Sequence, residues 1–536
     1  MDSNKINLDV LIVGTGFAGM YMLYRMKRLG LSVLAIEAAS DVGGTWYWNR
    51  YPGARCDVES VEYSYSFSEE LQQEWEWSNR YSDQPEILEY ANHVADRFDL
   101  RADIKFETKV ASAHYNSDSK FWDIETDMGD FYSARFCVMA TGTLSAPNAP
   151  DFEGLDAFNG DWYMTSKWPH EALDFSDKKV GIIGTGSTGI QAIPVVAEES
   201  KHLTVFQRTP QFTIPANNRQ LDSDEVKNIK DNYTEIRKKA RESRAGIASV
   251  NIGNKSALEV SDQERYEKFS DIWNGPGLND FVASYNDIIT NLKANEFAGD
   301  FIRSKILEIV EDKEIAETLL PEVMFWCKRV CADTNYYETY NRENVELVDV
   351  SSLPIEKILP EGVQVSENVY PLDVIIFAIG FDAMTGALNN INIVGKDGIK
   401  LKEKWNYGPV TYLGLSVSGF PNLFTITGPG SPSVLSNMMT SIEQHVDWIS
   451  DFIEYSIDHG ITEIEATSDA EIEWTNRVEE LADNSLKSNS GCNSWYLGSN
   501  VPGKKRVFMP YLGGVGRYRE ECDEIASANY KGFILH

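Results

Sequence analysis

One local unit occurs twice in this chain and limits what it can fold into. A short apolar, β-branched run from Asp9 to Val13 leads into Gly14-Thr15-Gly16-Phe17-Ala18-Gly19, then a helix-like MYMLYRMKRLG, then a second apolar run, Leu31 to Ile36, ending in Glu37. Lys179 to Ile183 leads in the same way into Gly184-Thr185-Gly186-Ser187-Thr188-Gly189, a helix-like stretch and the strand-like Leu203 to Gln207. Strand, glycine turn, helix and strand in this order build a parallel sheet with crossover helices. The chain is therefore read as α/β with two Rossmann-like dinucleotide-binding domains. Glycine lets the backbone approach a pyrophosphate, and the helix N-terminus presents free N–H groups to it. Gly14, Gly16, Phe17 and Gly19 form one candidate cradle; Gly184, Thr185, Gly186, Ser187 and Gly189 form the other.

The two units differ at the end of their second strand. Where the first has Glu37, the same offset in the second gives Gln207, followed by Arg208 and Thr209. A carboxylate there accepts hydrogen bonds from a ribose 2′-OH, whereas a neutral residue beside an arginine tolerates and pairs with a 2′-phosphate. The first site suits FAD and the second NADPH, although the glycine motif by itself serves NAD at the first site equally well. The bland alternative for Arg208 is a surface arginine.

Size and charge narrow the class further. At roughly 150 residues per domain, 536 residues predict about three or four domains. The 49 Lys+Arg against 82 Asp+Glu leave a net charge of −33, which repels phosphate backbones and anionic bilayers. No nucleic-acid or membrane partner is expected, and an anionic cofactor needs its own cluster of cations. Six cysteines without a CxxC pair are too sparse for a disulfide framework, and they suggest neither a redox dithiol nor a metal site. With no signal peptide and no membrane-length apolar run in the sequence, a cytoplasmic monomer is expected.

The texture of the chain implies discontinuous domains. From about Pro215 to Pro321 it becomes charged and helix-periodic, as in SDEVKNIKDNYTEIRKKARESR, before strand signals return in VELVDV and LDVIIFAIGFDA. The expected division is an FAD-binding domain from 1–145 and 382–536, an NADP-binding domain from 146–216 and 325–381, and a helical insertion at 217–324.

Beyond the glycine turns, Gly43-Gly44-Thr45-Trp46, Tyr51-Pro52-Gly53 and Asp57, then Phe158-x-Gly160 with Trp168-Pro169, stand between and beside the two units. In these fingerprints and their order the chain resembles the type I Baeyer-Villiger monooxygenases. RYPGARCDVESVEYSYSFSEE, KRVCADTNYYETYNRENVELVDV and GPGSPSVLSNM are most similar to the phenylacetone-oxidising branch, and the similarity extends over nearly the whole chain. The resemblance implies an enzyme that uses FAD, NADPH and O2 to insert one oxygen atom next to a ketone carbonyl, through a C4a-peroxyflavin, giving an ester or lactone. Arg329 matches the family's active-site arginine and Asp57 the carboxylate beside it. A guanidinium suits the role because it stays protonated and offers a planar donor fork to developing negative charge. Thr45, Trp46, Tyr63, Val110 and Met439 are implied at the flavin, with Tyr51 and Arg55 in support and Trp48 in the core. Arg208, Thr209 and Lys328 are implied at NADPH, with Trp495 in a loop closing over the nicotinamide ribose. Ser433-Val434 corresponds to a local insertion that narrows the pocket, implying aryl or linear ketones such as phenylacetone, with sulfide oxidation as a side activity.

One position departs from the pattern. The second fingerprint carries His where this chain has Met164, which puts reduction rate and coupling in doubt, and nothing in the spacing makes His170 a replacement. The rival readings are a flavin monooxygenase dedicated to N- or S-oxidation and a non-catalytic NADP-binding flavoprotein. A disulfide reductase of similar plan would require the absent CxxC.

Overall fold

The computed structural model describes residues 6–250, 252–275, 277–488 and 491–536. Its organising strand is Ile6–Val13, whose last four residues are buried, as in a central parallel strand covered on both faces. It pairs in parallel with Val33–Ile36 on one side and Phe131–Met139 on the other. The sheet continues antiparallel through Phe121–Thr126 and Val110–Asn116, and Asn392–Val394 and Leu423–Thr425 join it from far along the chain. A second sheet is wholly parallel, in the order Val345–Asp349, His202–Gln207, Lys179–Ile183, Val374–Phe377 and Asp161–Met164.

Both glycine turns lead into helices, Phe17–Arg28 and Ser187–Glu199, as the sequence pattern expects. Gly14 has φ +98°, and a Cβ on Gly19 would lie 1.8 Å from the Gly14 carbonyl oxygen; the Gly189–Gly184 pair makes the same approach at 2.2 Å. The third glycine of each motif therefore serves helix-on-strand packing. Neither helix has a side-chain N-cap, whereas Asp222, Ser261 and Asn291 cap helices between the two sheets' segments. Uncapped N-terminal N–H groups are what an incoming phosphate needs.

Between Pro215 and Cys331 the described residues hold helices and no strand: Ser223–Glu242, Asp262–Trp273, Leu278–Val282, Leu292–Ile309 and Lys313–Thr318. The chain leaves and returns through one parallel pair, Thr213–Pro215 against Cys331–Asp333. That pairing brings the segments ending in Arg208 and Arg329 to one place. Buried Arg237 then ties the longest of these helices back to the first sheet's side, donating from Nη2 to Ser64 Oγ at 2.7 Å and from Nε to Gln72 Oε1 at 2.9 Å.

The cysteines depart from expectation at one pair. Cys327 and Cys492, 165 residues apart in sequence, form a disulfide with Cα atoms 5.5 Å apart, while the other four remain free. Spacing could not reveal this pair because the tertiary fold alone brings its members together. Among the described residues no helix is long and apolar enough to cross a membrane, and no group of His, Cys, Asp and Glu is arranged to hold a metal.

Candidate active site

The carboxyl ends of both sheets open onto one cavity of about 1620 Å³, well above the roughly 300–1,000 Å³ of a pocket for one small ligand. Of the residues singled out from sequence, Gly14, Gly16, Phe17, Glu37, Thr45, Trp46, Asp57, Tyr63, Val110, Gly184, Thr185, Gly186, Ser187, Arg208, Thr209, Lys328, Arg329 and Trp495 all line it. Gly19 and Gly189 lie behind the wall in their packing role. Met439 is not in the wall: it is buried in the core at the start of helix Met438–Asp458, and its neighbour Met438 faces the cavity. Trp48, expected in the core, is half-buried and lines the cavity.

The first fingerprint joins the two nucleotide units physically. The Tyr51 hydroxyl donates to Gln191 Oε1 at 2.7 Å, and Gln191 Nε2 donates to the Arg55 carbonyl at 3.0 Å. Gly53 is required here because a Cβ would sit 2.3 Å from the Gln191 carbonyl oxygen. The turn that presents Asp57 is thereby docked on the helix of the second unit.

Arg329 reaches into the cavity from the irregular stretch just before strand Cys331–Asp333. Its Nε donates to Asp57 Oδ2 at 3.1 Å and its Nη1 to the Val434 carbonyl at 3.4 Å, and the Tyr496 hydroxyl also contacts it. Asp57 is 8% exposed and the Arg329 side chain 35%. The carboxylate is thus enclosed while part of the guanidinium stays open to the cavity. Burial pushes the Asp57 carboxyl above its usual range and Arg329 opposes that push. Burial also works against the guanidinium charge, but Asp57, Tyr496 and Cys331 together outweigh it and Arg329 remains a firm cation.

At the second unit, Arg208 and Lys328 stand close enough to repel. Burial, then Arg208, holds the Lys328 ammonium below its ordinary value, and no carboxylate pairs with either residue among the described ones. Two unpaired cations in one wall fit a 2′-phosphate. Gln207 turns inward, donating from Nε2 to the Thr318 carbonyl at 2.9 Å, so no carboxylate opposes that phosphate. At the first unit Glu37 accepts from Thr15 N at 2.6 Å, Thr15 Oγ1 at 3.0 Å and Ala39 N at 2.8 Å. A carboxylate offers about four acceptor sites, so one remains for a ribose hydroxyl. Trp46 Nε1 donates to the Tyr63 hydroxyl at 3.2 Å, fixing two aromatics in the same wall. Uncapped helix termini, an acid at one end and bare cations at the other fit FAD at the first unit and NADP at the second.

Comparison with known proteins agrees with this geometry. A family model described as pyridine nucleotide-disulphide oxidoreductase matches residues 11–268. Cyclohexanone 1,2-monooxygenase of Acinetobacter sp is 41% identical, covering 99% of this chain and 97% of its own. A Baeyer-Villiger monooxygenase of Pseudooceanicola batsensis is 41% identical, covering 98% and 96%. The chain belongs to the Baeyer-Villiger monooxygenases. A solved structure, an oxidized steroid monooxygenase bound to NADP, is 50% identical and superimposes with a TM-score of 0.94 over 99% of both chains. As a Baeyer-Villiger monooxygenase, this protein is FAD- and NADPH-dependent.

Other groups around the arginine were not found from sequence. Tyr496 contacts it, and Lys487, held at the Trp326 carbonyl, stands near enough for the two cations to repel; the fingerprint pattern contains no signal for Lys487. Met164 ends strand Asp161–Met164, opposite Phe377, and packs partly buried among apolar residues, with Ser166 and Lys167 next along the chain in the cavity wall. His170 is exposed beside the Tyr47 ring, consistent with a surface histidine.

Proposed function

We propose that this enzyme inserts one atom of O2 next to the carbonyl of aryl or linear ketones such as phenylacetone, giving esters, with sulfide oxidation as a side activity. The observation that carries the reading is Arg329, restrained by Asp57 and the Val434 carbonyl yet open to the cavity between the two nucleotide units.

In this reading 1–145 and 382–536 hold FAD, 146–216 and 325–381 hold NADP, and 217–324 braces the two. When bound, FAD and NADPH supply the oxygen-activating and hydride chemistry. Glu37 takes a ribose hydroxyl, and the N–H groups after Gly14 and Gly184 take the pyrophosphates. Arg208, Thr209 and Lys328 hold the 2′-phosphate. Arg329 turns cationic donors toward the ketone oxygen as negative charge grows on it, an arrangement worth most where water is excluded. Asp57 fixes the fork in place before reaction, so little reorganisation is needed. Trp495 adds an apolar wall over the site.

The narrow ketone range is supported by Ser433–Leu435, a single tight turn beside the arginine, with Leu144, Val434 and Met438 in the cavity wall. The purified enzyme should be given NADPH and 18O2 with phenylacetone, a linear 2-alkanone, cyclohexanone and an aryl methyl sulfide, and the products identified by mass spectrometry. Singly labelled benzyl acetate is the expected product from phenylacetone. Sulfoxide as the sole product, with every ketone untouched, would overturn the reading in favour of a heteroatom monooxygenase.

A further inference from the structure

The segment carrying Trp495 is fastened to the segment carrying Arg329 at three successive points. Lys487 Nζ donates to the Trp326 carbonyl at 2.7 Å, Cys492 is bonded to Cys327, and the Tyr496 hydroxyl contacts Arg329. Lys487 is the least expected of the three. It is 1% exposed, and no carboxylate pairs with it among the described residues. Its ammonium instead lies 3.7 Å from the centroid of the Trp326 ring and 4.2 Å from that of Tyr496. An ammonium between two aromatic faces is attracted to the negative face of each ring. Trp326 has φ +65°, a conformation costly for a bulky residue, and its carbonyl is the one Lys487 holds. Burial and the Arg329 charge both weigh against the Lys487 ammonium. A fully buried lysine held against the strained Trp326 carbonyl, three residues before the active-site arginine, needs an account that general stability does not give.

We propose that Lys487 is a positioning residue for Arg329: clamped between Trp326 and Tyr496, it locks the turn bearing Trp495 and Tyr496 onto the Trp326–Arg329 segment. The arginine and the tryptophan wall are then presented to the cavity as one unit, and loosening the wall displaces the arginine. This rests on the assignment of Arg329 to ketone oxygenation. Lys487→Met keeps most of the unbranched side chain and removes the ammonium group. Trp326→Leu removes one face of the clamp and serves if the first variant does not fold.

Two quantities are read on each FAD-loaded variant. The first is hydrogen exchange at the backbone amides of Trp495–Leu497 without NADP+, which reports local opening independently of turnover. The second is the share of consumed NADPH that ends as hydrogen peroxide rather than ester. Exchange should quicken at least tenfold and the peroxide share should rise at least threefold, with the KM for NADPH within twofold of wild type. Unchanged exchange would show that no latch exists. Faster exchange with an unchanged peroxide share would show that the latch does not position the arginine, and either result overturns the proposal. If the wild type makes no ester from any ketone, the functional reading fails on its own, and the exchange measurement still decides whether Lys487 holds the turn.

Discussion

Replacing Arg208 by Ala tests the charge design of the second nucleotide unit. Arg208 and Lys328 have no carboxylate partner among the described residues, and Lys328 is weakened as a cation by burial and by Arg208 itself. A dianionic 2′-phosphate relieves that repulsion, so the pair is costly alone and favourable only with NADPH. A charge-assisted hydrogen bond contributes about 1.5–3 kcal/mol, corresponding to about 10- to 150-fold in affinity. Arg208 is exposed, so solvent and salt place it near the lower limit, while half-buried Lys328 belongs near the upper. Arg208→Ala should therefore lower kcat/KM for NADPH about tenfold at moderate salt and more at low salt. NADH lacks the phosphate, so its kcat/KM should stay within about twofold. Lys328→Met should cost more than Arg208→Ala, and the double variant less than both combined, since removing either cation relieves the other. Initial rates with each cofactor at two ionic strengths measure all three effects. An unchanged NADPH to NADH ratio in Arg208→Ala would refute the assignment.

Arg329→Ala should reduce ester formation by about 10²- to 10³-fold while the purified protein retains its full FAD content, read by absorbance and product chromatography; normal ester formation would disprove the role. Met164→His should raise the rate of flavin reduction or the ester yield per NADPH, measured by stopped flow, while lowering stability by about 1–3 kcal/mol because the imidazole enters an apolar cluster. Asp333→Asn should change the pH dependence of stability. Burial raises the Asp333 carboxyl from 3.8 to about 6, despite hydrogen bonds from Thr213 and Tyr336. The folded state therefore prefers the protonated acid: the associated stability is complete below about pH 4 and lost as pH rises through 6, about 3 kcal/mol in all. The melting temperature of Asp333→Asn should exceed that of wild type at pH 8 and converge with it at pH 4; a gap independent of pH would count against the assignment.

The glycine turns, their strands and the acid-versus-arginine contrast were legible because each is a local pattern that a short stretch of backbone must satisfy. The arginine and its carboxylate were legible only through resemblance, since 272 residues separate Asp57 from Arg329 and no spacing rule connects them. Met439 shows how finely a helix divides function from packing. Adjacent residues point about 100° apart, so Met438 meets the cavity while Met439 enters the core. The disulfide, the Gln191 bridge and Lys487 were illegible for a common reason: each joins segments more than a hundred residues apart through groups that carry no motif of their own.

The division of work between Lys328 and Arg329 follows from their partners rather than from their residue types. Elsewhere in this acidic chain cations are commonly consumed by carboxylates, as in Arg25 with Asp447, Arg80 with Glu59 and Lys396 with Glu463. Among the described charged residues Lys328 meets another cation and no carboxylate, so in the proposed reading its charge would act over distance and draw phosphate into a molecule of net charge −33. Arg329, one residue later, is paired with Asp57 while still charged, and in the proposed reading acts at short range through the donors left open. Were Asp57 absent, two adjacent bare cations would compete for the same phosphate and the reactive carbonyl would lose its fixed donor. In the proposed reading the carboxylate would therefore separate holding the cofactor from acting on the substrate, and its enclosure behind the arginine supports that role.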